Sequence, residues 1–188
     1  LCNGGTGSVA VSATGGTSPY IGEGTFSEVA GTYTYTVTDD NGCSATASAT
    51  VSQPTPLTAA ALATDAACNG VAGSVAVSAT GATSPYTGTG TFNETAGTYT
   101  YTVTDANGCS ATASATVAEP TQLTASALAT DATCFGDNGS VAVSATGGTS
   151  PYTGTGTFNE TAGTYTYTVT DANGCSATAS ATVAEPTQ

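Results

Sequence analysis

The chain has 188 residues with no Lys, Arg, His, Met or Trp, against 13 Asp plus Glu, for a formal charge of −13. Without a cationic side chain there is no side-chain salt bridge, no histidine general base, no lysine nucleophile and no arginine clamp for phosphate. The same charge repels nucleic acid and anionic membrane surfaces, and no run of about 20 apolar residues is available for a membrane span.

Self-comparison organises the rest. Residues 57–122 and 123–188 are each 66 long and differ at six positions, 60/126, 67/133, 69/135, 71/137, 72/138 and 82/148. Residues 1–56 are a more diverged copy without its first ten residues. Three domains are therefore expected: 1–56, lacking its first strand, 57–122 and 123–188. The chain opens on Leu1, inside a repeat, and is expected to be a segment of a longer tandem array or a subunit whose missing strand a neighbour supplies.

Taken in order on the last copy, Leu123 to Thr130 alternates weakly and predicts a first strand, after the linker Glu119-Pro-Thr-Gln122. Proline suits such a junction because it cannot extend a ladder. Asp131 to Gly139 reads as a loop carrying Cys134. Ser140 to Thr146 predicts a second strand with Val141, Val143 and Ala145 on one face. Gly147 to Pro151 is a turn, and Tyr152 to Phe158 a glycine-broken strand. The stretch Ala-Gly-Thr-Tyr-Thr-Tyr-Thr-Val-Thr-Asp-Xaa-Asn-Gly-Cys then occurs at 30–43, 96–109 and 162–175. Its period-2 alternation predicts a strand with Tyr165, Tyr167 and Val169 inward and the threonines outward. Asp171-Ala-Asn-Gly174 supplies turn chemistry, since Asp and Asn bond their own backbone and Gly accepts positive φ. A second alternating run follows Cys175, making a hairpin.

No helical periodicity appears anywhere. The fold class expected is all-β: tandem, small, immunoglobulin-like β-sandwich repeats of 66 residues. The Gly-x-Tyr entry into the longest strand is like the tyrosine corner of immunoglobulin-like domains. Each unit is small and its core rich in Ala, so it is expected to need a staple. Cys2, Cys68 and Cys134 recur every 66 residues, as do Cys43, Cys109 and Cys175. Repeat symmetry leaves two pairing schemes. One closes each unit on itself, Cys2–Cys43, Cys68–Cys109 and Cys134–Cys175, and is the one expected. The other joins Cys43–Cys68 and Cys109–Cys134 across linkers. Either implies an oxidising site outside the cytoplasm, and the lack of His and of Cys-x-x-Cys sets zinc aside.

Cys-x-Gly near the start of a unit, Gly-Gly-Thr-Ser-Pro-Tyr, Ala-Gly-Thr-Tyr-Thr-x-Thr-Val-Thr-Asp-Ala-Asn-Gly-Cys and a closing Glu-Pro before Leu together resemble the SprB repeat family. The family occurs as tandem copies in very large surface adhesins of gliding Bacteroidota. The resemblance covers all three units and implies an immunoglobulin-like repeat in a secreted, cell-surface filament or adhesin.

Other motifs are weaker. Asn93, Asn138 and Asn159 begin Asn-x-Ser/Thr acceptor patterns, so either glycans or bare hydroxyl faces are expected there. Glu119 with Asp131 is a weak calcium candidate at a junction, and Asp105-Ala-Asn-Gly108 reads as a plain turn. No cofactor is required. No two carboxylates are spaced to suggest glycoside chemistry, and an enzyme is not expected. The functional expectation is a segment of an extracellular fibre or stalk whose partner is itself, head to tail. The alternative is a carbohydrate- or surface-binding module using the face from Tyr152 to Phe158.

Overall fold

The computed structural model describes residues 1–188 and contains strands but no helix. In chain order the strands are β1 (Gly7–Val11), β2 (Gly24–Glu28), β3 (Gly31–Thr38), β4 (Ser44–Val51), β5 (Thr58–Thr64), β6 (Gly73–Thr80), β7 (Gly90–Glu94), β8 (Gly97–Thr104), β9 (Ser110–Val117), β10 (Thr124–Thr130), β11 (Gly139–Thr146), β12 (Gly156–Glu160), β13 (Gly163–Thr170) and β14 (Ser176–Val183). They form small sheets: β1-β2, β3-β4, β5-β6-β7, β8-β9, β10-β11-β12 and β13-β14. Two compact units emerge. One comprises Leu1–Ala61, Val77–Gly90 and Thr100–Ser114; the other comprises Leu62–Ala76, Thr91–Tyr99 and Ala115–Gln188. The residues of the middle sequence repeat are thus divided between them.

In the second unit, the last copy shows how the alternation is used. β10, β11 and β12 pair antiparallel, with Ala129 opposite Val141 and Val141 opposite Phe158. β13 and β14 form the expected hairpin, with Tyr165 opposite Ala181, Tyr167 opposite Ala179 and Val169 opposite Ala177. A large residue faces a small one in each of these three hairpin pairs, so the inner face of the hairpin fills without crowding. Val141, Val143, Val169 and Val183 make the buried cluster, with Ala125, Ala127 and Ala129 of β10, Phe158, Tyr165 and Tyr167 packed on it. The Phe158 and Tyr167 rings lie 4.8 Å apart, tilted by 32°. The core is therefore built of valine with aromatic flanks, and alanine lets β10 come close.

The outer face of the hairpin is a ladder of hydroxyls. Thr164 and Thr182 oxygens lie 2.9 Å apart, and those of Thr166 and Ser180 lie 2.7 Å apart. Cross-strand hydroxyl pairs of this kind stabilise sheets modestly. Tyr165 donates its hydroxyl proton to the carbonyl of Thr161, 3.0 Å away and four residues upstream.

The glycine-broken strand differs from expectation: β12 starts at Gly156 and not at Tyr152. Tyr152 instead follows a cis Ser150–Pro151 peptide and donates to the Gly147 carbonyl at 2.7 Å. Thr153 makes an isolated bridge to Thr170. Gly154 then sits at φ +80°, where the strand pleat cannot continue, and a Cβ there would lie 2.2 Å from the Thr168 carbonyl oxygen.

In the first unit, the copy at residues 1–56 repeats this plan with one strand fewer. β1 pairs with β2 only, and β3 with β4. Val37 is 8% exposed where its counterparts Val103 and Val169 are 0%, so the core of this copy is less covered.

Candidate functional site

The site that distinguishes this molecule is made by its cysteines, and it assembles from two loops. The first is the hairpin turn before β14. Asp171 accepts hydrogen bonds from the amides of Asn173 and Cys175, both at 2.9 Å, and through its other oxygen from the amide of Thr149 at 2.9 Å. The Asp171 amide in turn donates to the Cys175 carbonyl at 2.9 Å. Asn173 donates from its side chain to the Thr149 hydroxyl at 3.1 Å. Asp171 is buried, yet the Thr149 amide, followed by those of Cys175 and Asn173, holds its carboxyl below the usual range. Asp39 is lowered the same way, chiefly by the amides of Thr17 and Cys43. At Asp105 burial is the largest influence and pushes upward, but the amides of Cys109, Thr83 and Asn107 together outweigh it. The turn therefore presents its cysteine from a frame fixed by a charged, fully bonded aspartate.

The second loop lies between the first two strands of a full repeat and carries Cys68 or Cys134. Gly70 donates to the Glu119 carboxylate at 2.6 Å, and Asn69 donates to the Pro120 carbonyl at 3.1 Å. Asp65 accepts from the Ala118 amide at 2.9 Å. In the last copy, Gly136 likewise donates to Glu185 at 2.8 Å and Ala184 to Asp131 at 2.9 Å. The loop is thus tied to the end of the repeat's last strand, while the hairpin cysteine stands at that strand's beginning.

This geometry corrects the expected disulfides. The bonds present are Cys2–Cys109, with a Cα separation of 5.6 Å, and Cys68–Cys175, at 5.7 Å. Cys43 and Cys134 are free and exposed. Neither Cys2–Cys43, nor Cys68–Cys109, nor Cys134–Cys175 forms, and neither does Cys43–Cys68 or Cys109–Cys134. The reason is length. Cys175 precedes Ser176 at the start of β14, and the Cys134 loop is bonded to Ala184 and Glu185 beyond its end. An eight-residue strand at about 3.3 Å per residue holds them roughly 26 Å apart, whereas a disulfide needs Cα atoms within about 7 Å. What the loop cysteine can reach is the hairpin of the following repeat. There Asn173 also donates to the Ala67 carbonyl at 2.9 Å, beside Cys68. The sequence carried a signal for this. Counting strands puts three, an odd number, between the two cysteines of one copy, which places them at opposite ends.

The remaining candidates fall as follows. Glu119 and Asp131 are not brought together: each accepts from a backbone amide, at a different junction, Glu119 from Gly70 and Asp131 from Ala184. No group of three or more Cys, Asp or Glu is arranged to hold a metal ion. Asn93, Asn138 and Asn159 are all exposed, the first on β7, the last on β12, and Asn138 in the loop after Cys134. Asp105 to Gly108 is the same turn as Asp171 to Gly174, with Asp105 accepting from Asn107 at 2.9 Å and from Cys109 at 2.7 Å.

No curated protein of similar sequence was found. Residues 126–153, which run from within β10 through the Cys134 loop and β11 to the turn past Pro151, match the SprB repeat family, and the resemblance read from the sequence holds for that segment.

Proposed function

We propose that this chain is a structural stretch of a cell-surface, adhesin-like repeat protein, built from 66-residue immunoglobulin-like sandwich repeats and working outside the cytoplasm. The SprB repeat match supports the surface and adhesin-like part of this reading. One observation carries the structural part: each disulfide joins a loop of one sequence repeat to the hairpin of the next, Cys2 to Cys109 and Cys68 to Cys175. A bond inside a repeat would stabilise a bead; a bond between repeats stabilises the succession, which is what a fibre or stalk requires. Disulfides also persist in oxidising surroundings.

The carbohydrate-binding alternative depends on aromatic surface between Tyr152 and Phe158. Both rings pack against the valine cluster, which leaves little face for stacking on a sugar. The structural reading is tested by antibody labelling of intact, unpermeabilised source cells, combined with electron microscopy of the labelled material. Label on surface filaments is the expected result. Label that appears only after permeabilisation would overturn the reading.

A further inference from the structure

We infer that Asn138 is a self-modification site. Its side-chain amide is lost to attack by the Gly139 nitrogen and then water, while the same dipeptide at five other places is held unreactive by the fold. The chain has eight asparagines, and six of them, Asn3, Asn41, Asn69, Asn107, Asn138 and Asn173, precede glycine. Glycine has no Cβ to shield its nitrogen or restrict its backbone, so this nitrogen reaches the preceding carboxamide more readily in Asn-Gly than in other pairs.

Two groups must come free for the reaction, the glycine N–H and the asparagine carboxamide. In the hairpin turns both are held. Gly42, Gly108 and Gly174 donate to the carbonyls of Asp39, Asp105 and Asp171 at 2.9, 3.1 and 3.1 Å. Asn41, Asn107 and Asn173 donate from their side chains to the hydroxyls of Thr17, Thr83 and Thr149 at 2.8, 2.9 and 3.1 Å. The loops hold both groups by other partners. Gly4 donates to the Gln53 side chain at 2.7 Å and Asn3 to the Pro54 carbonyl at 3.0 Å. Gly70 donates to Glu119 at 2.6 Å and Asn69 to the Pro120 carbonyl at 3.1 Å.

Asn138 differs. It is exposed, and its carboxamide has no hydrogen-bond partner. Gly139 is the first residue of β11 and lies opposite Glu160 at the end of the β11–β12 ladder, where pairing opens most easily. The exposure belongs to the position. Ala72 holds the same place in the middle copy and is exposed too, although the Cys68 loop there is bonded to the hairpin of the next repeat.

In the first step the Gly139 nitrogen gives up its proton and bonds to Cγ of Asn138, and Nδ2 leaves with that proton as ammonia. Water then adds to either carbonyl of the five-membered imide, a ring C–N bond breaks, and the nitrogen regains a proton. One water enters, one ammonia leaves and no electron changes hands. The product is aspartate, or isoaspartate with the main chain running through Cβ. It sets a carboxylate beside Asp137 and removes the nitrogen on which the Asn138-Gly-Ser pattern could carry a glycan. Among the protected asparagines, Asn173 has most to lose, since its Nδ2 also donates to the Ala67 carbonyl of the preceding repeat at 2.9 Å.

The test incubates the full chain in mildly alkaline buffer, folded or unfolded in guanidinium with its disulfides intact. Samples are digested, and fragment-ion mass spectrometry locates each amide-to-acid mass shift. In the folded chain Asn138 is expected to convert about tenfold or more faster than Asn107 or Asn173, because each of those must first release two held groups. In the unfolded chain the six should convert at similar rates. Thr83→Val removes the hydroxyl that holds Asn107 and should raise conversion at Asn107 alone, with the denaturation midpoint checking the fold. Conversion of Asn138 no faster than Asn107 in the folded parent, or the same ratio persisting in guanidinium, overturns the inference. So does an unchanged Asn107 rate in folded Thr83→Val.

Discussion

Replacing Cys68 by Ser removes the Cys68–Cys175 bond, whose loop spans 107 residues. In the chain-entropy account, closing a loop of about that length restricts the unfolded ensemble by roughly 4.7 kcal/mol. The 41-residue loop of a bond within one repeat would give about 4 kcal/mol on the same account. The difference is too small for stability alone to distinguish the two pairings, so the assay needs two readouts. Guanidinium unfolding under non-reducing conditions should show Cys68→Ser destabilised by about 4 to 5 kcal/mol relative to the parent. The second readout uses the alkylated monomer, cut with a protease that cleaves after glutamate but not before proline. The fragments 1–23, 29–94, 95–160 and 161–188 should then travel as two separate disulfide-linked pairs, 1–23 with 95–160 and 29–94 with 161–188. Bonds within each repeat would chain all four fragments into one species. That single species, or an unchanged unfolding midpoint in Cys68→Ser, would refute the argument from strand length.

Three further outcomes follow from the packing. Val169→Ala, at a fully buried position in the valine cluster, should cost about 2 kcal/mol, read from the denaturation midpoint. Gly154→Ala and Gly174→Ala both place a side chain at positive φ, but only the first meets the Thr168 carbonyl at 2.2 Å, while Gly174 has nothing within 4 Å. Gly174→Ala should therefore cost about 1 kcal/mol and Gly154→Ala clearly more, by thermal unfolding. Asp171 has its folded pKa below the unfolded value near 3.9, so its contribution is present above about pH 4 and is lost as pH falls through the folded pKa. The gap in denaturation midpoint between the parent and Asp171→Asn should accordingly be full at pH 7 and close in acid.

Local structure was legible where the period was strong. The Thr–Tyr alternation gave β13 and its inward face, and Asp171 and Asn173 gave the turn, because these features depend on neighbours a few residues apart. The strand from Tyr152 failed at Gly154, where positive φ is a tertiary choice made against the Thr168 carbonyl. The disulfides failed for a different reason. Repeat symmetry specifies that pairing is periodic, but it does not say whether a bond closes a copy on itself or reaches the next. Only the eight residues of β14 between Cys175 and the Cys134 loop decide that, and they do so as a physical distance.

The staggered bonds have a mechanical consequence. A pull between Leu1 and Gln188 would be carried through Cys2 to Cys109, back along the chain to Cys68, and across to Cys175. That covalent route is on the order of 60 residues against 188, at about 3.4 Å each. Under tension strong enough to melt every sheet, the oxidised strand would stretch to only about a third of its contour, so a tether of this build would go taut where an ordinary string of domains would pay out.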